Sequence, residues 1–468
     1  MTQTEIQVHD DQVRQVEQLI AANFEAAVDE LVELVKTPGI AWEAFDANNL
    51  ELSATQVAKL FEETGVFDFV EIRRSSANGK SGAPAILAKR AAKNSKPTFL
   101  LYAHHDVQPP GDESQWKTKP FEPVQKDGRL FGRGAADDKA GIVVHLAAIR
   151  GLKTLLADDF DLGITIFIEG EEEAGSPTFR NFLEENRADL AADVIVVADS
   201  GNLTTEVPSL TTTLRGLVSV VVEVTTLDHA LHSGMYGGAV PDAMLALVKL
   251  LASLHDDAGN VAVQGLISGK AAPIDYSDAD LRRDAGLLDG VAQIGQGAIL
   301  DRIWTKPAIT VIGIDGQTVA LSSNTLLPSA RAKISLRIAP GQDPEQALGL
   351  LKQHLQQNVP FGAKLSFGEV ELGKPFEADL SKWASQLAKQ ALSDAWQVPS
   401  VDIGIGGSIP FIADLTEVFT EAQILVTGVE DPDSRAHSPN ESVHLESLKR
   451  AMVAETLLLL GGNDKTLP

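Results

Sequence analysis

Cysteine is absent from the 468-residue sequence, and so is any long apolar run. The lack of cysteine excludes disulfides and thiolate ligands, so any bound metal must be held by histidine and carboxylate. No stretch reaches the roughly 18 apolar residues that a membrane helix needs. Met1 to Ala22 carries charged side chains throughout and has no apolar signal-peptide core. These absences predict a cytoplasmic protein without a membrane segment.

Positive charge is also scarce. The chain has 39 lysines and arginines against 65 aspartates and glutamates, which gives a net charge of -26. Such a charge repels nucleic acid and anionic membranes unless one region concentrates the basic residues, and no region does. With 44% hydrophobic residues and this length, the sequence predicts a globular protein of two or three domains.

Strand and helix patterns alternate in the first half of the chain. Apolar runs predict strands over Thr98–Ala103, Ile164–Glu169 and Val194–Asp199, and helical periodicity follows over Lys139–Leu155. Two helices are predicted before them, over Gln12–Lys36 and, with a serine cap, over Ser53–Gly65. This order predicts an α/β fold with a mostly parallel sheet.

The order of predicted strands and helices changes after residue 209. Residues 210–374 follow a β-α-β-β-α-β plan, which predicts a ferredoxin-like domain inserted into the first. Residues 375–468 return to the earlier α/β texture, so the predicted division is 1–209 and 375–468 for the main domain and 210–374 for the insert. Within the insert, residues 260–306 are predicted to be an ordered excursion.

Metal-binding side chains follow all three predicted core strands. The first strand runs into His104 and Asp106, the second into Glu171 to Glu173 and the third into Asp199. A single carboxylate in such a place is usually a solvated charge, but parallel strands deliver their carboxyl ends to one edge. Together with His437 in the turn SRAHSPNE, this set suits a pair of Zn²⁺-like ions and a glutamate base. Spacing alone leaves open which glutamate is the base.

Eight motifs then resemble one family in order along the chain. They are AHHDVQP, GRGAADDK, EGEEEAGS, the strand-end Asp199, LHSGMYGG, NTLLPSARAKISLRI, GGSIP and AHSPNE. The chain resembles the dinuclear metallopeptidases that include carnosinase-like dipeptidases, acetylornithine deacetylase, succinyl-diaminopimelate desuccinylase and glutamate carboxypeptidase. The ordered set spans about Leu100 to Glu441, and HSGMYGG and GGSIP look closer to the carnosinase-like branch.

The resemblance implies a role for each metal-site residue. Glu172 is implied as the general base, and Asp106 as the residue that orients a metal-ligating histidine. The implied ligands are His104, Asp137, Glu173, Asp199 and His437, with Asp137 as the bridge. Glu171 is predicted to be a solvated charge. The implied cofactor is two divalent ions per subunit, Zn²⁺ first, with Mn²⁺ or Co²⁺ as alternatives.

The insert resembles a lid that also forms a homodimer. His232 is implied as the residue that polarises the scissile carbonyl in the partner's active site. Arg337 is implied to hold the substrate's carboxylate, with Asn324 nearby, and Gly406, Gly407 and Ser408 resemble a substrate-binding loop.

We therefore expect the chain to be a metal-dependent dipeptidase. It would cleave the amide bond next to a free carboxylate, using a metal-bridging water and a glutamate base. One alternative keeps the site and changes the substrate to an N-acyl amino acid. A second alternative is a non-catalytic metal-binding dimer, which would lack a base or a ligand, and the motifs lack neither.

Overall fold

The computed structural model describes residues 3–407 and 409–467. Its helices, in chain order, are α1 Gln3–Val35, α2 Ala47–Glu63, α3 Lys139–Leu155, α4 Phe179–Glu185, α5 Arg187–Leu190, α6 Ser233–Tyr236, α7 Ala243–Ala252, α8 Asp278–Ala285, α9 Pro344–Asn358, α10 Trp383–Trp396, α11 Pro410–Val418 and α12 Leu445–Asp464.

The strands divide between a large mixed sheet, a four-stranded sheet and short ribbons. In chain order they are β1 Phe69–Arg73, β2 Ser76–Ala77, β3 Lys80–Ser81, β4 Ala85–Arg90, β5 Thr98–His104, β6 Val124–Lys126, β7 Arg129–Phe131, β8 Gly163–Glu169, β9 Val194–Val197, β10 Ser209–Leu214, β11 Gly216–Thr225, β12 Leu231–His232, β13 Ala308–Asp315, β14 Thr325–Leu326, β15 Ser329–Ile338, β16 Lys364–Gly373, β17 Phe376–Glu377, β18 Val401–Ile405, β19 Gln423–Val426 and β20 Ser442–His444.

The chain forms two compact units. One holds Met1–Thr212, Ala378–Ile403 and Asp414–Pro468, and the other holds Thr213–Glu377 and Gly404–Ala413. We call them the catalytic unit and the inserted unit. The predicted boundaries at residues 209 and 374 lie three residues from those of the units, while 404–413 group with the insert instead of the main domain. The domain division itself stays a prediction.

The sheet of the catalytic unit is parallel at its centre. In the order β1-β4-β8-β5-β9-β19-β10, the strands from β8 to β19 are parallel to one another, and the flanking strands are antiparallel. Strands β8 and β9 are buried at every position because parallel strands are covered on both faces. The helices α1, α3, α10 and α12 supply much of that apolar core. The predicted α/β fold class is confirmed.

The inserted unit has the predicted β-α-β-β-α-β order. Its antiparallel sheet runs β13-β15-β11-β16. Alternate residues of β15, such as Ile334 and Leu336, join α7 and α9 in a separate apolar core. The excursion over residues 260–306 contains α8 and one turn of π-helix, Asp301–Thr305.

Two predicted helix starts are wrong. Helix α2 begins at Ala47, where the Asp46 side chain accepts a hydrogen bond from the Asn48 backbone N–H. Ser53, the predicted cap, lies inside the helix and donates to the His105 carbonyl instead. Helix α1 begins at Gln3 instead of residue 12. The spacing of apolar residues does not mark where a helix begins, so a polar residue inside the helix can be mistaken for the cap and the true cap can be missed.

Among the described helices, none combines the length and the apolar character required to cross a bilayer. The cytoplasmic location stays a prediction.

Candidate active site

The carboxyl ends of three adjacent parallel strands meet at one edge of the catalytic sheet. Strand β5 ends at His104, β8 is followed by Glu172 and Glu173, and β9 is followed by Asp199. Asp137 comes two residues before α3. This edge is where ligands collect in open α/β sheets.

Two groups of potential ligands form there and share Asp137. One contains His104, Asp137 and Asp199, and the other contains Asp137, Glu173 and His437, with the ligand atoms of each group within 4.8 Å of one another. Asp137 Oδ1 lies 3.0 Å from His104 Nε2, and Asp137 Oδ2 lies 3.0 Å from His437 Nε2. The family resemblance implies these five residues as ligands with Asp137 as the bridge, and their role as ligands stays a prediction.

Asp106 connects the first group to the glutamates. Its carboxylate accepts hydrogen bonds from the backbone N–H of Glu172 at 3.2 Å and of Glu173 at 3.0 Å. Asp106 Oδ1 also lies 3.4 Å from His104 Nδ1, and the Asp106 carbonyl lies 3.1 Å from the same nitrogen. A contact on the second ring nitrogen fixes the orientation of a metal-binding histidine. The geometry therefore suits the orienting role predicted for Asp106.

Gln108 and Glu441 also form hydrogen bonds with residues of the site, and neither was predicted from the sequence. Gln108 donates to Glu173 from its backbone N–H at 3.0 Å and from its side-chain Nε2 at 2.7 Å. Glu441 accepts from the backbone N–H groups of Ala136 at 3.0 Å and Asp137 at 3.2 Å. Their places in the AHHDVQP and AHSPNE motifs were the available signal.

The side chains of His105 and Glu171 have structural contacts of their own. His105 Nε2 lies 2.8 Å from the Pro84 carbonyl, and burial lowers the pKa of His105 to about 4. Glu171 was predicted to be a solvated charge, and this is wrong. It is 7% exposed and accepts hydrogen bonds from the Ala83 backbone and from the Thr178 backbone and hydroxyl. The contact with Ala83 joins segments that are far apart in sequence, so no local pattern reveals it.

Glu172 has a strongly perturbed carboxyl group. Burial raises the pKa of Glu172 to about 9. The positive charge of His104 works against this rise, and the negative charge of Asp199 adds to it. Perturbed carboxyl groups of this kind are typical of catalytic acids and bases. The role of Glu172 as the base stays a prediction.

The buried carboxylates outnumber the positive charges beside them. Burial and the Asp137 carboxylate raise the pKa of Asp199 to about 7, and burial with the same neighbour raises that of Glu430 well above its usual value. Hydrogen bonds that His437 donates to the Asp137 and Glu173 carboxylates raise the pKa of His437 to about 11. A cluster that favours added protons also favours cations, and its imidazole and carboxylate donors suit divalent ions. The residues therefore fit the predicted metal pair.

The inserted unit holds the other predicted site residues. The backbone N–H of Ser233 donates to the Asn324 carbonyl at 2.9 Å, next to the ribbon in which His232 pairs with Thr325. His232 is exposed. Arg337 lies near the end of β15, and Gly406 and Gly407 follow β18. Ser408 lies outside the described residues. The roles of these residues stay predictions.

Comparison with known proteins identifies the chain as a hydrolase of the peptidase class and gives its family. The model of peptidase family M20/M25/M40 matches residues 100–460, so the chain belongs to this family. It is 32% identical over 446 residues to the cysteinylglycine-S-conjugate dipeptidase of Corynebacterium striatum, covering 94% of this chain and 96% of that protein. It is 29% identical over 384 residues to the beta-Ala-His dipeptidase of Rattus norvegicus, covering 77% and 76%.

Solved structures support the fold. The dipeptidase Dug1p of Saccharomyces cerevisiae matches with a TM-score of 0.76 and 22% identity, covering 97% of this chain and 99% of that one. Human carnosine dipeptidase 1 matches with a TM-score of 0.75 and 23% identity, covering 97% and 99%. The predicted family resemblance is confirmed.

Proposed function

We propose that the chain is a metal-dependent dipeptidase that cleaves the amide bond next to a free C-terminal carboxylate. The observation that carries the proposal is the pair of ligand groups sharing Asp137, with Glu172 beside them. The names of the relatives above support a dipeptide substrate, since both are dipeptidases.

The metal pair takes its ligands from the two groups. His104, Asp137 and Asp199 would hold one divalent ion, and Asp137, Glu173 and His437 the other. Zn²⁺ is the first expectation, and Mn²⁺ or Co²⁺ would also suit these donors. When bound, such ions supply Lewis acidity towards a carbonyl oxygen and make water a better nucleophile at neutral pH.

Glu172 moves the proton in this proposal. Its carboxylate accepts a proton from the attacking water and then donates it to the amine that leaves. Asp106 supports this step because its carboxylate holds the backbone N–H of Glu172 and contacts His104. The base and the ligand His104 are therefore positioned by the same side chain.

The inserted unit would supply the substrate contacts. Arg337 would bind the substrate's carboxylate with its guanidinium fork, and Asn324, Gly406, Gly407 and Ser408 would line the substrate. His232 would donate to the oxyanion in the active site of the partner subunit, as the family resemblance implies. Such sharing needs a homodimer.

A matched pair of substrates tests the proposal. Chelator-stripped protein, with Zn²⁺ or Mn²⁺ restored, is given an unblocked dipeptide and the N-acetyl derivative of its C-terminal amino acid. We expect the metal-restored protein to release this amino acid from the dipeptide and not from the N-acetyl compound. Cleavage of the N-acetyl compound alone would move the chain to the deacylases with the same site, and cleavage of neither would contradict the proposal.

A further inference from the structure

Arg215 is a buried arginine that no carboxylate neutralises among the described residues. Only 9% of the surface of Arg215 is exposed. Its Nε donates to the Gly406 carbonyl at 2.9 Å, and its Nη1 donates to the carbonyls of Lys306 at 3.2 Å and Arg302 at 3.4 Å. Burial lowers the pKa of Arg215 to about 10, which leaves the guanidinium charged at neutral pH. A buried charge without a counter-ion is costly unless a ligand supplies one.

The N–H groups on Nη2 of Arg215 are available to donate hydrogen bonds to a ligand. Within the described part of the chain, Nη2 has no acceptor, because the three hydrogen bonds of Arg215 use only Nε and Nη1. Nη2 lies directly beside Gly406, since a Cβ atom placed on that glycine would come within 2.7 Å of it. The Arg215 backbone N–H also donates to the Ile405 carbonyl at 3.3 Å. Arg215 is therefore fixed against the start of the predicted substrate loop.

A second arginine, Arg337, lies near Arg215 at the same end of β11. Leu217 pairs directly with Arg337 across β11 and β15, so these two side chains share a face. Arg215 immediately precedes Gly216, the first residue of β11, and so lies at the end of the sheet where Leu217 pairs with Arg337. Val218 and Leu336 point the other way, into the core with α7 and α9. The charge of Arg337 contributes to the lowered pKa of Arg215, which indicates that the two guanidinium groups are near each other.

We infer that Arg215 supplies a second guanidinium to a two-arginine subsite, formed with Arg337 beside Gly406, for the carboxylate of the substrate. The inference rests on the proposed function, which gives the substrate its free carboxylate. A carboxylate has two oxygens and accepts hydrogen bonds from two guanidinium groups at once. The same contact holds Gly406 in place, so the substrate loop is positioned by the residue that binds the substrate.

Substitution of Arg215 tests the inference with two substrates. Arg215→Met and Arg215→Lys are compared on an unblocked dipeptide and on the C-terminal amide of that dipeptide, with metal present. We expect Arg215→Met to lower kcat/KM for the free carboxylate by about 10- to 100-fold, mainly through KM, because a charged hydrogen bond is lost. Cleavage of the amide should fall by less than about 3-fold. Lysine should restore part of the difference, because it keeps the charge without the fork.

Arg283→Met is the matched control, since Arg283 is an exposed arginine of α8 in the same unit. It should leave both substrates unchanged. Equal losses on the carboxylate and the amide would show that Arg215 only maintains the fold, and no loss would also overturn the inference. If Arg215→Met does not fold, Arg215→Lys alone decides, because the ratio between the substrates must still fall.

This experiment distinguishes a failure of the dipeptidase proposal from a failure of the two-arginine subsite. A wild-type protein that leaves the unblocked dipeptide intact contradicts the dipeptidase proposal. The carboxylate-to-amide ratio is then measured on an N-acetyl amino acid and its amide. An unchanged ratio in the Arg215 variants would contradict the two-arginine subsite whichever substrate class is cleaved.

Discussion

Asp137 has the central position among the site residues because each of its carboxylate oxygens contacts a different histidine. Glu172 stands beside this arrangement and belongs to neither ligand group. At the scale of single residues, the proposal therefore separates metal binding from proton transfer, and a substitution can remove one function without the other.

Glu172→Gln should keep the metals and lose turnover. The amide has nearly the shape of the carboxylate but cannot accept the proton, so we expect kcat to fall by about 10²- to 10⁴-fold. Metal content per subunit and hydrolysis of an unblocked dipeptide are measured on the same preparation. Near-normal turnover with full metal content would remove Glu172 from the role of base.

Glu169 should make the metal-free protein less stable as the pH rises. Burial raises the pKa of Glu169 to about 8, although the Tyr102 hydroxyl donates to its carboxylate at 2.6 Å. Between the unfolded value of 4.5 and about 8, the folded state holds a proton that the unfolded state has released. Stability is therefore lost across this window, by up to about 1.4 kcal/mol per pH unit from this group.

The measurement is urea unfolding of chelator-stripped protein at several pH values from 5 to 8. Glu169→Gln should lose less stability across this range than the wild type, because the amide does not titrate. Parallel pH dependences for the two proteins would mean that Glu169 does not carry the predicted shift.

At the scale of elements, the loop before α3 is held by a contact from the other end of the chain. Arg133 donates to Glu441 at 2.6 Å, and both residues are almost fully buried. Glu441 also accepts hydrogen bonds from three backbone N–H groups of this loop, those of Gly134, Ala136 and Asp137. The segment around β20 therefore fixes the backbone that presents Asp137.

Glu441→Gln should lower both stability and metal affinity. The glutamine leaves Arg133 without its carboxylate, and breaking a buried pair in this way costs about 3–5 kcal/mol. Urea unfolding and metal titration measure the two effects, with the exposed Glu113 changed to Gln as a control. Unchanged metal affinity would contradict the positioning role of Glu441.

The sequence predicted these elements unevenly, for physical reasons. Strands β5, β8 and β9 were predictable because buried parallel strands are continuous apolar runs, and their ends locate His104 and Asp199. The contacts of Glu171 with Ala83 and of Glu441 with Asp137 were not predictable, because each joins segments far apart in sequence. The assignment of roles to the adjacent glutamates needed the family resemblance.

For the molecule as a whole, the inserted unit exposes apolar side chains along one edge of its sheet. Strand β13 is an edge of its sheet, and Ile312 and Ile314 on that strand are 57% and 52% exposed. Val319 and Leu321, in the turn that follows, are 92% and 74% exposed. An exposed edge with apolar side chains is a common place for association, which supports the proposed homodimer.

Charges placed on this edge should separate the subunits. We expect Val319→Asp combined with Leu321→Asp to be monomeric in sedimentation and to lose turnover while retaining metal, since His232 would no longer reach a partner. Leu288→Asp, at a 74% exposed position of the excursion, should stay dimeric. A monomeric wild type, or a fully active monomeric variant, would contradict the shared active site.

The proposed hydrolysis of dipeptides depends on two divalent ions, both of which Asp137 would ligate. The most direct test measures metal content and unblocked-dipeptide cleavage together in stripped and metal-restored protein, for the wild type, Asp137→Asn and the surface control Glu43→Gln. We expect two ions per subunit and restored cleavage in the wild type and the control, with reduced metal and no restored cleavage in Asp137→Asn. Full cleavage by stripped protein, or full metal content and activity in Asp137→Asn, would contradict the proposal.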